Sequence, residues 1–380
     1  MSDSGMRETT QQLTVIPKKF EIVQQDKVKY RCQCQGSIVT SPTPARIIPG
    51  SSYSDEMIQD VALSKYCDLI PIQRYAKMAE RSGLIDLPPH SLIETTHSFA
   101  DLVSGAYGRT KKLLLKSRVL NADETPHRML EGSDKKAWYL WGFSNPEHCF
   151  LECRDTRSGD VASDFLLQSQ CEILRSDVFS GYGKAVRVIN EARRVANLPL
   201  LRCAHCNAHA RRYFYKAWSQ YKEATFYLDH FHEIYQLNSE SKGQPPTQVL
   251  ELRGQMRPRF EAMKKKALEE LPQYPKNGKY GKALRYFLNK YSEFTLFLSD
   301  PEIPIDNNAQ ERAFRPHVVG RKTWYGTHSE RGDLTAAILF TLVESCKLNQ
   351  VNPREYFDHL VQDLLAGAIP YTPNEFKQSQ

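Results

Sequence analysis

The sequence has 380 residues, 41% apolar and 25% charged, a balance that excludes wholesale disorder and supplies a sizeable core. Its formal net charge of +7 leans toward a polyanionic partner. No run of about 18 apolar residues occurs and the opening "MSDSGMRETTQQ" has no apolar signal core, so no membrane span or secretion is expected, and the nine cysteines read as reduced thiols of a cytoplasmic protein.

Residues 1–50 are polar, with short strands predicted at "FEIVQQ" and "KVKYRC" before the Pro-rich linker "SPTPARIIPGSS". Over residues 51–115 the apolar spacing is helical, broken at Gly83 and at Pro88-Pro89, and predicts a helical entry module. A different texture begins at Ser117. "RVLNADET", "AWYLWGF" and "CFLECRD" are short apolar runs bounded by turn residues, which predicts three sequential antiparallel strands. A helix at "SDFLLQSQ", a strand at "CEILRSDVF", a helix at "GKAVRVINEARRVA" and a strand at "LPLLRCA" follow. Three strands, helix, strand, helix, strand is the order of an α/β ribonuclease-H-like core with a mixed five-stranded sheet and flanking helices.

Beyond Asn207 the pattern is helical in "AHARRYFYKAWSQYKEATFYLDHFHEIYQL", "PTQVLELRGQMRPRFEAMKKKALEEL", "GKALRYFLNKYSEFTLFLSD", "TAAILFTLVESCKLN" and "PREYFDHLVQDLL". The expected organisation is an N-terminal segment to residue 50, the entry module at 51–115, and the first part of the core at 116–215. A large helical insertion at 216–300, the second part of the core at 301–345 and a C-terminal helical segment at 346–380 complete it.

The acids can then be placed. Asp123 follows the apolar stretch of the first core strand and Asp177 ends the fourth. Those strands are neighbours in such a sheet, so both carboxylates are expected side by side. Glu311 would join them from a helix starting near "DNNAQERAF", capped by Asp306 or an Asn. Three convergent carboxylates suit Mg²⁺. Two such ions about 3.5 to 4 Å apart stabilise the attacking and leaving oxygens of a displacement at phosphorus. This accounts for Glu311 among the four cations of "PIDNNAQERAFRPHVVGRK": phosphate needs Arg and Lys, while the metal needs Glu311. An Asp at a strand end is more often a turn or cap residue, so the combination carries the reading. Asp55, Asp134, Asp155, Asp160 and Asp164 have no comparable setting and read as surface or capping groups.

Arg211 and Arg212, which follow His209, and Arg312, Arg315, Arg321 and Lys322 around Glu311 are the candidate phosphate contacts, against the alternative of a solvated helix face. Trp324 and Tyr325 suit either base stacking or, for Trp324, core packing. Cys203, His205, Cys206 and His209 offer four ligand types, but their spacing is cramped for a tetrahedral zinc finger.

The segments "NADETPHRML", "YLWGF", "RSDVFSGYGKAV", "CNAHARRYF", "ALRYFLNKY", "PIDNNAQERAFRPHVVGRKTWYG" and "KLNQVNPREYFDHL" resemble, in order, the blocks of insertion sequence 66 family transposases. The similarity runs from about residue 23 to residue 360. The resemblance implies a DDE-type DNA transposase that performs Mg²⁺-dependent cleavage and strand transfer, with Mn²⁺ able to substitute. It makes Asp123, Asp177 and Glu311 the catalytic, metal-binding triad. Cys206 and His209 match a Cys-x-x-His of related families, read either as orienting the site or as a helix cap beside a buried thiol, and Asn308 is a further supporting residue. Double-stranded DNA, as element ends and target, companion proteins of the element, and a multimer in the bacterial cytoplasm at the nucleoid are the implied partners and setting, with no membrane. Such relatives carry an N-terminal zinc module with two Cys pairs. Here only Cys32-x-Cys34 is present, so no zinc and a shortened N-terminus are expected. A catalytically inactive DNA-binding relic and a metal-dependent nuclease on the same fold are the alternatives.

Overall fold

A computed structural model of the chain describes residues 5, 7–34, 36–83, 87–131 and 137–380; the expectation for Asp134 lies outside them. The first elements form an exposed antiparallel hairpin, β1 (Lys29–Arg31) and β2 (Ile38–Thr40), with Cys32 and Cys34 exposed at its turn. "FEIVQQ" is not a strand: among the described residues it pairs with no other segment, and Phe20 instead lays its ring edge-on to Tyr75.

Three helices follow, α1 (Asp55–Tyr66), α2 (Ile72–Arg81) and α3 (Pro89–Leu114). Ser54 starts α1 by accepting from the Met57 N–H, and Pro89 opens α3 at a position where a missing N–H is harmless. The central sheet contains β3 (Val119–Arg128), β4 (Ala137–Ser144), β5 (Cys149–Arg154), β6 (Ile173–Ser176) and β7 (Arg202–His205) in the order β5-β4-β3-β6-β7. The first three are antiparallel neighbours, and β6 and β7 run parallel to β3. The fifth strand starts later than its apolar run because Asn197 turns with φ of 52° and leaves Leu198 and Leu200 exposed.

Alternation along β3 sends Leu120, Ala122 and Glu124 to one face and Asp123, Thr125 and His127 to the other. The first face is covered by α4 (Gly159–Leu167) and α5 (Ser180–Val195), where Phe143 and Phe165 stack at 3.8 Å. The second is covered by α11 (Asn308–Trp324) and α12 (Glu330–Leu348), the latter buried from Thr335 through Cys346.

Between β7 and α11 the chain makes a helical excursion: α6 (Asn207–Trp218), α7 (Ala224–Glu240), α8 (Pro246–Glu270), α9 (Lys279–Asn289) and α10 (Tyr291–Thr295). The stretch read as one helix from Ala208 is two, interrupted at 219–223. These helices share an aromatic core built on Phe214, Tyr227, Phe231, Tyr280 and Phe287. Two buried arginines fix the returning chain. Arg253 on α8 donates to the carbonyls of Phe297, Asp300 and Ile303, and Arg175 on β6 donates to that of Ile305. α13 (Pro353–Leu365) and α14 (Pro373–Ser379) finish the chain; α14 opens on a Thr372/Glu375 capping box. Among the described residues no helix is long and apolar enough to cross a membrane.

Candidate active site

The register of the sheet brings the first two acids together. β3 and β6 pair Val119 with Ile173 and Asn121 with Arg175; continued two residues past the ladder, that parallel register leads to Asp123 and Asp177, and the Asp177 carboxylate is near enough to act on that of Asp123. Asp177 follows the last residue of β6, and its Oδ1 accepts from the Phe179 N–H at 2.9 Å, shaping the turn into α5. It serves as a turn residue and presents a carboxylate at once.

Glu311 arrives on the first turn of α11, where a helix N-terminus favours a negative charge. Neither Asp306 nor an Asn side chain caps that helix in the expected way. Asn307 occupies the cap position but makes no side-chain cap bond; its amide donates to the Ala122 carbonyl at 3.0 Å, and its N–H donates to Cys206 Sγ at 3.2 Å. Asn307 therefore ties the start of α11 to β3, one residue before Asp123, and to the β7–α6 junction. Asp306 accepts from the N–H of Asn308 at 3.1 Å and from its side-chain amide at 2.6 Å.

Around Glu311 the polar groups are incompletely paired. Its Oε1 lies 3.8 Å from His209 Nδ1 and its Oε2 3.8 Å from Arg212 Nη2. Glu311 Oε1 and His209 Nδ1 are buried with no hydrogen-bond partner among the described residues, which leaves both lone pairs available to a ligand. Cys206, His209 and Glu311 offer ligand atoms within 4.8 Å of one another, whereas Cys203 and His205 do not join them. Burial pushes the Asp123 carboxyl up to about 7, and the carboxylates of Glu124, Asp177 and Glu311 add to the shift. Acids crowded in this way fit a hard divalent cation with oxygen ligands, which would neutralise them.

A test by pH follows. Below about pH 4 the Asp123 carboxyl is protonated in folded and unfolded chains alike; from there to about pH 7 only the folded chain keeps the proton. This group therefore lowers the stability of the cation-free protein as pH rises through that window. A cation needs the ionised carboxylate, so the rise in Tm on adding Mg²⁺ should be small at about pH 5 and full at about pH 8. A pH-independent rise would separate Asp123 from the cation.

On the opposite face Glu124 is buried, accepting from the Tyr182 hydroxyl at 2.7 Å and from Arg157 at 2.6 and 2.9 Å. Farther along the Asp123 face, His127 Nδ1 lies 3.1 Å from His317 Nε2, and His127 Nε2 lies 2.7 Å from Asp333 Oδ1 on α12. Helix and strand thus lie alongside, with Asp123 and Glu311 at one end and the histidine pair at the other. Gly142, paired with Asp123 across β4, leaves the space that Gln310 and Phe314 of α11 fill; a Cβ there would run into both. Sequence reasoning missed Asn307, Gln310 and the histidine pair, although a glycine inside "YLWGF" signals a close approach.

Of the candidate phosphate contacts, Arg211 and Arg212 are exposed on α6, and Arg312, Arg315 and Lys322 on α11. Arg321 is half-buried, with Nη1 3.5 Å from Thr125 Oγ1 on the Asp123 face. Trp324 packs partly buried against the core under α12, while Tyr325 is 71% exposed.

Comparison with known proteins bears on this arrangement. The profile described as Transposase IS66 family matches residues 50–334. Three proteins of Sinorhizobium fredii (strain NBRC 101917 / NGR234) are similar along nearly the whole chain. Uncharacterized protein y4qI is 26% identical over 94% of this chain and 68% of its own length. Uncharacterized protein y4jD is 24% identical over 95% and 72%, and uncharacterized protein y4hP 21% over 92% and 66%. The chain spans about two thirds of the length of these relatives. The family match takes in all five strands of the central sheet and α11, the elements that carry the three acids, and the chain belongs to the IS66 transposase family.

Proposed function

We propose that the chain is a DDE-type DNA transposase working on a ribonuclease-H-like core, with Asp123, Asp177 and Glu311 as its metal-binding catalytic triad. Family membership carries a DNA substrate and divalent-metal chemistry, and Mg²⁺ suits an all-carboxylate set best. The observation that supports the reading is the crowding of carboxylates around Asp123: Asp177, to which the parallel β3–β6 register leads, and Glu311 on the first turn of α11 both act on its carboxyl. The strand order, with two parallel strands added beside an antiparallel meander, supports the fold assignment. In this reading residues 116–215 and 301–345 form the core, interrupted by the insertion at 216–300.

A pair of Mg²⁺ ions would supply Lewis acidity at the attacking and leaving oxygens. The chain's own groups do the rest. The three carboxylates fix where the scissile phosphate can lie. Arg212, beside Glu311, faces the phosphate charge, and His209 orients the Glu311 carboxylate. Water attacks phosphorus at an element end and the bond to the 3′ oxygen breaks, leaving a 3′ hydroxyl. That hydroxyl oxygen then attacks a target phosphodiester, displacing one target strand end as the new bond forms.

The test is an assay on duplex DNA carrying the element's ends. Wild type with Mg²⁺ should yield nicked ends and joined products, and Glu311→Gln should yield neither while still binding the duplex. Cleavage that survives Glu311→Gln or a chelator sinks the assignment, and cleavage without joining reduces the protein to a nuclease.

A further inference from the structure

A groove of about 660 Å³ runs beside Glu311, between α6, α7 and the start of α11. Arg211, Arg212 and Lys216 line it from α6, all exposed, and His232 adds an imidazole from α7. Asn308, on the same helix turn as Glu311, is part of its lining, and Arg212 both lines the groove and stands 3.8 Å from Glu311. The groove therefore adjoins the Glu311 side of the proposed triad.

Its second feature is aromatic. Tyr215 projects from α6 among these cations and is 59% exposed, although its neighbour Phe214 is fully buried in the core of the helical insertion. One turn further along, Trp218 is 40% exposed and nearly parallel to Tyr215, with centroids 6.5 Å apart. The Lys222 ammonium stands 4.1 Å from the Trp218 ring. The Trp218 indole N–H donates to the Thr225 hydroxyl at 3.0 Å and so fixes that ring, while Tyr215 stays free on its outer face. Exposed aromatic faces interleaved with cations match what a single nucleic-acid strand needs: a charge for each phosphate and a flat surface for a base. The volume of the open groove is enough for about one or two nucleotides.

We propose that this groove holds an unpaired DNA strand leading into the triad, its phosphates on Arg211, Arg212 and Lys216 and one base stacked on Tyr215. The inference rests on the transposase reading for its substrate and adds that the strand entering the site is separated from its complement.

The experiment is fluorescence anisotropy on the full chain in chelator, so that no cleavage intervenes, with a labelled single strand of about 12 nucleotides and the duplex of the same sequence. Tyr215→Ala should weaken single-strand binding about tenfold and duplex binding less than about twofold, whereas Tyr215→Phe should retain both. Lys216→Ala should weaken both and flatten their salt dependence. Unchanged single-strand affinity in Tyr215→Ala, or equal loss on the duplex, overturns the proposal. The cleavage assay with Glu311→Gln reads the triad separately. Single-strand binding that depends on Tyr215 in a protein that cuts nothing would keep the groove and refute the transposase, and the reverse result would refute the groove alone.

Discussion

Asp123→Asn should reduce strand cleavage and joining by about 1,000-fold or more, the scale on which removal of one preorganised electrostatic group acts. The substitution keeps shape and volume, so the fold survives. The expectation is sharper than lost activity. Asp123 is the carboxyl that burial and three neighbouring carboxylates hold protonated to about pH 7, so in the cation-free protein at higher pH its neutral amide relieves repulsion. The variant should melt no lower than wild type at about pH 8 without metal, and should lose the rise in Tm that Mg²⁺ gives wild type. Inactivity with a lowered metal-free Tm would mean that the amide damages the fold, and retained activity would remove Asp123 from the triad.

Phe214→Ala should lower unfolding stability by about 3–5 kcal/mol, the range for deleting a buried ring that the surroundings cannot replace. Phe214 stacks on Tyr227 at 4.2 Å with planes 5° apart, and its centroid lies 6.1 to 6.4 Å from the rings of Phe231, Tyr280 and Phe287. It joins α6 to α7 and α9. Denaturant unfolding measures the loss directly, and Phe214→Leu should cost about 1.5 kcal/mol or less. Because α6 also carries His209, Arg211 and Arg212, the alanine variant should bind DNA more weakly at temperatures well below its own melting point. A loss under about 1 kcal/mol would show that the cluster collapses around the void.

The local parts of this structure were legible in the residues. The three sequential strands, the helices between the later ones and the span of α13 all follow from periodicity and turn residues, because each is decided within a short window. The strand at "FEIVQQ" was misread because pairing is not local: a run of suitable residues without a neighbour stays extended and exposed. The break at 219–223 was missed because it contains neither Gly nor Pro. The fittings of the candidate site escaped for a related reason. Asn307 reads as a cap residue, yet its amide is spent on Ala122, 185 positions earlier, and His127 meets His317 across 190. Only the fold reveals such partners. Arg175, inside the predicted fourth strand, gives no local sign of its role either: it is fully buried, reaching the returning chain at Ile305.

The burial of α12 against β5 has a consequence for the order of synthesis. The Leu151 N–H donates to the Thr341 hydroxyl and the Cys149 N–H to the Ser345 hydroxyl, across 190 and 196 positions. A ribosome needs about 10 to 40 seconds to cover that distance. During that interval Asp177 and the last two strands are made, but the helix that covers the second face of the sheet is not, and for most of it Glu311 has not been made either. The helices of the insertion occupy the delay, since their aromatic core closes largely on its own contacts. The triad proposed above is thus incomplete in partial translation products, and Glu311 completes it only shortly before α12, the helix that seals the sheet, emerges.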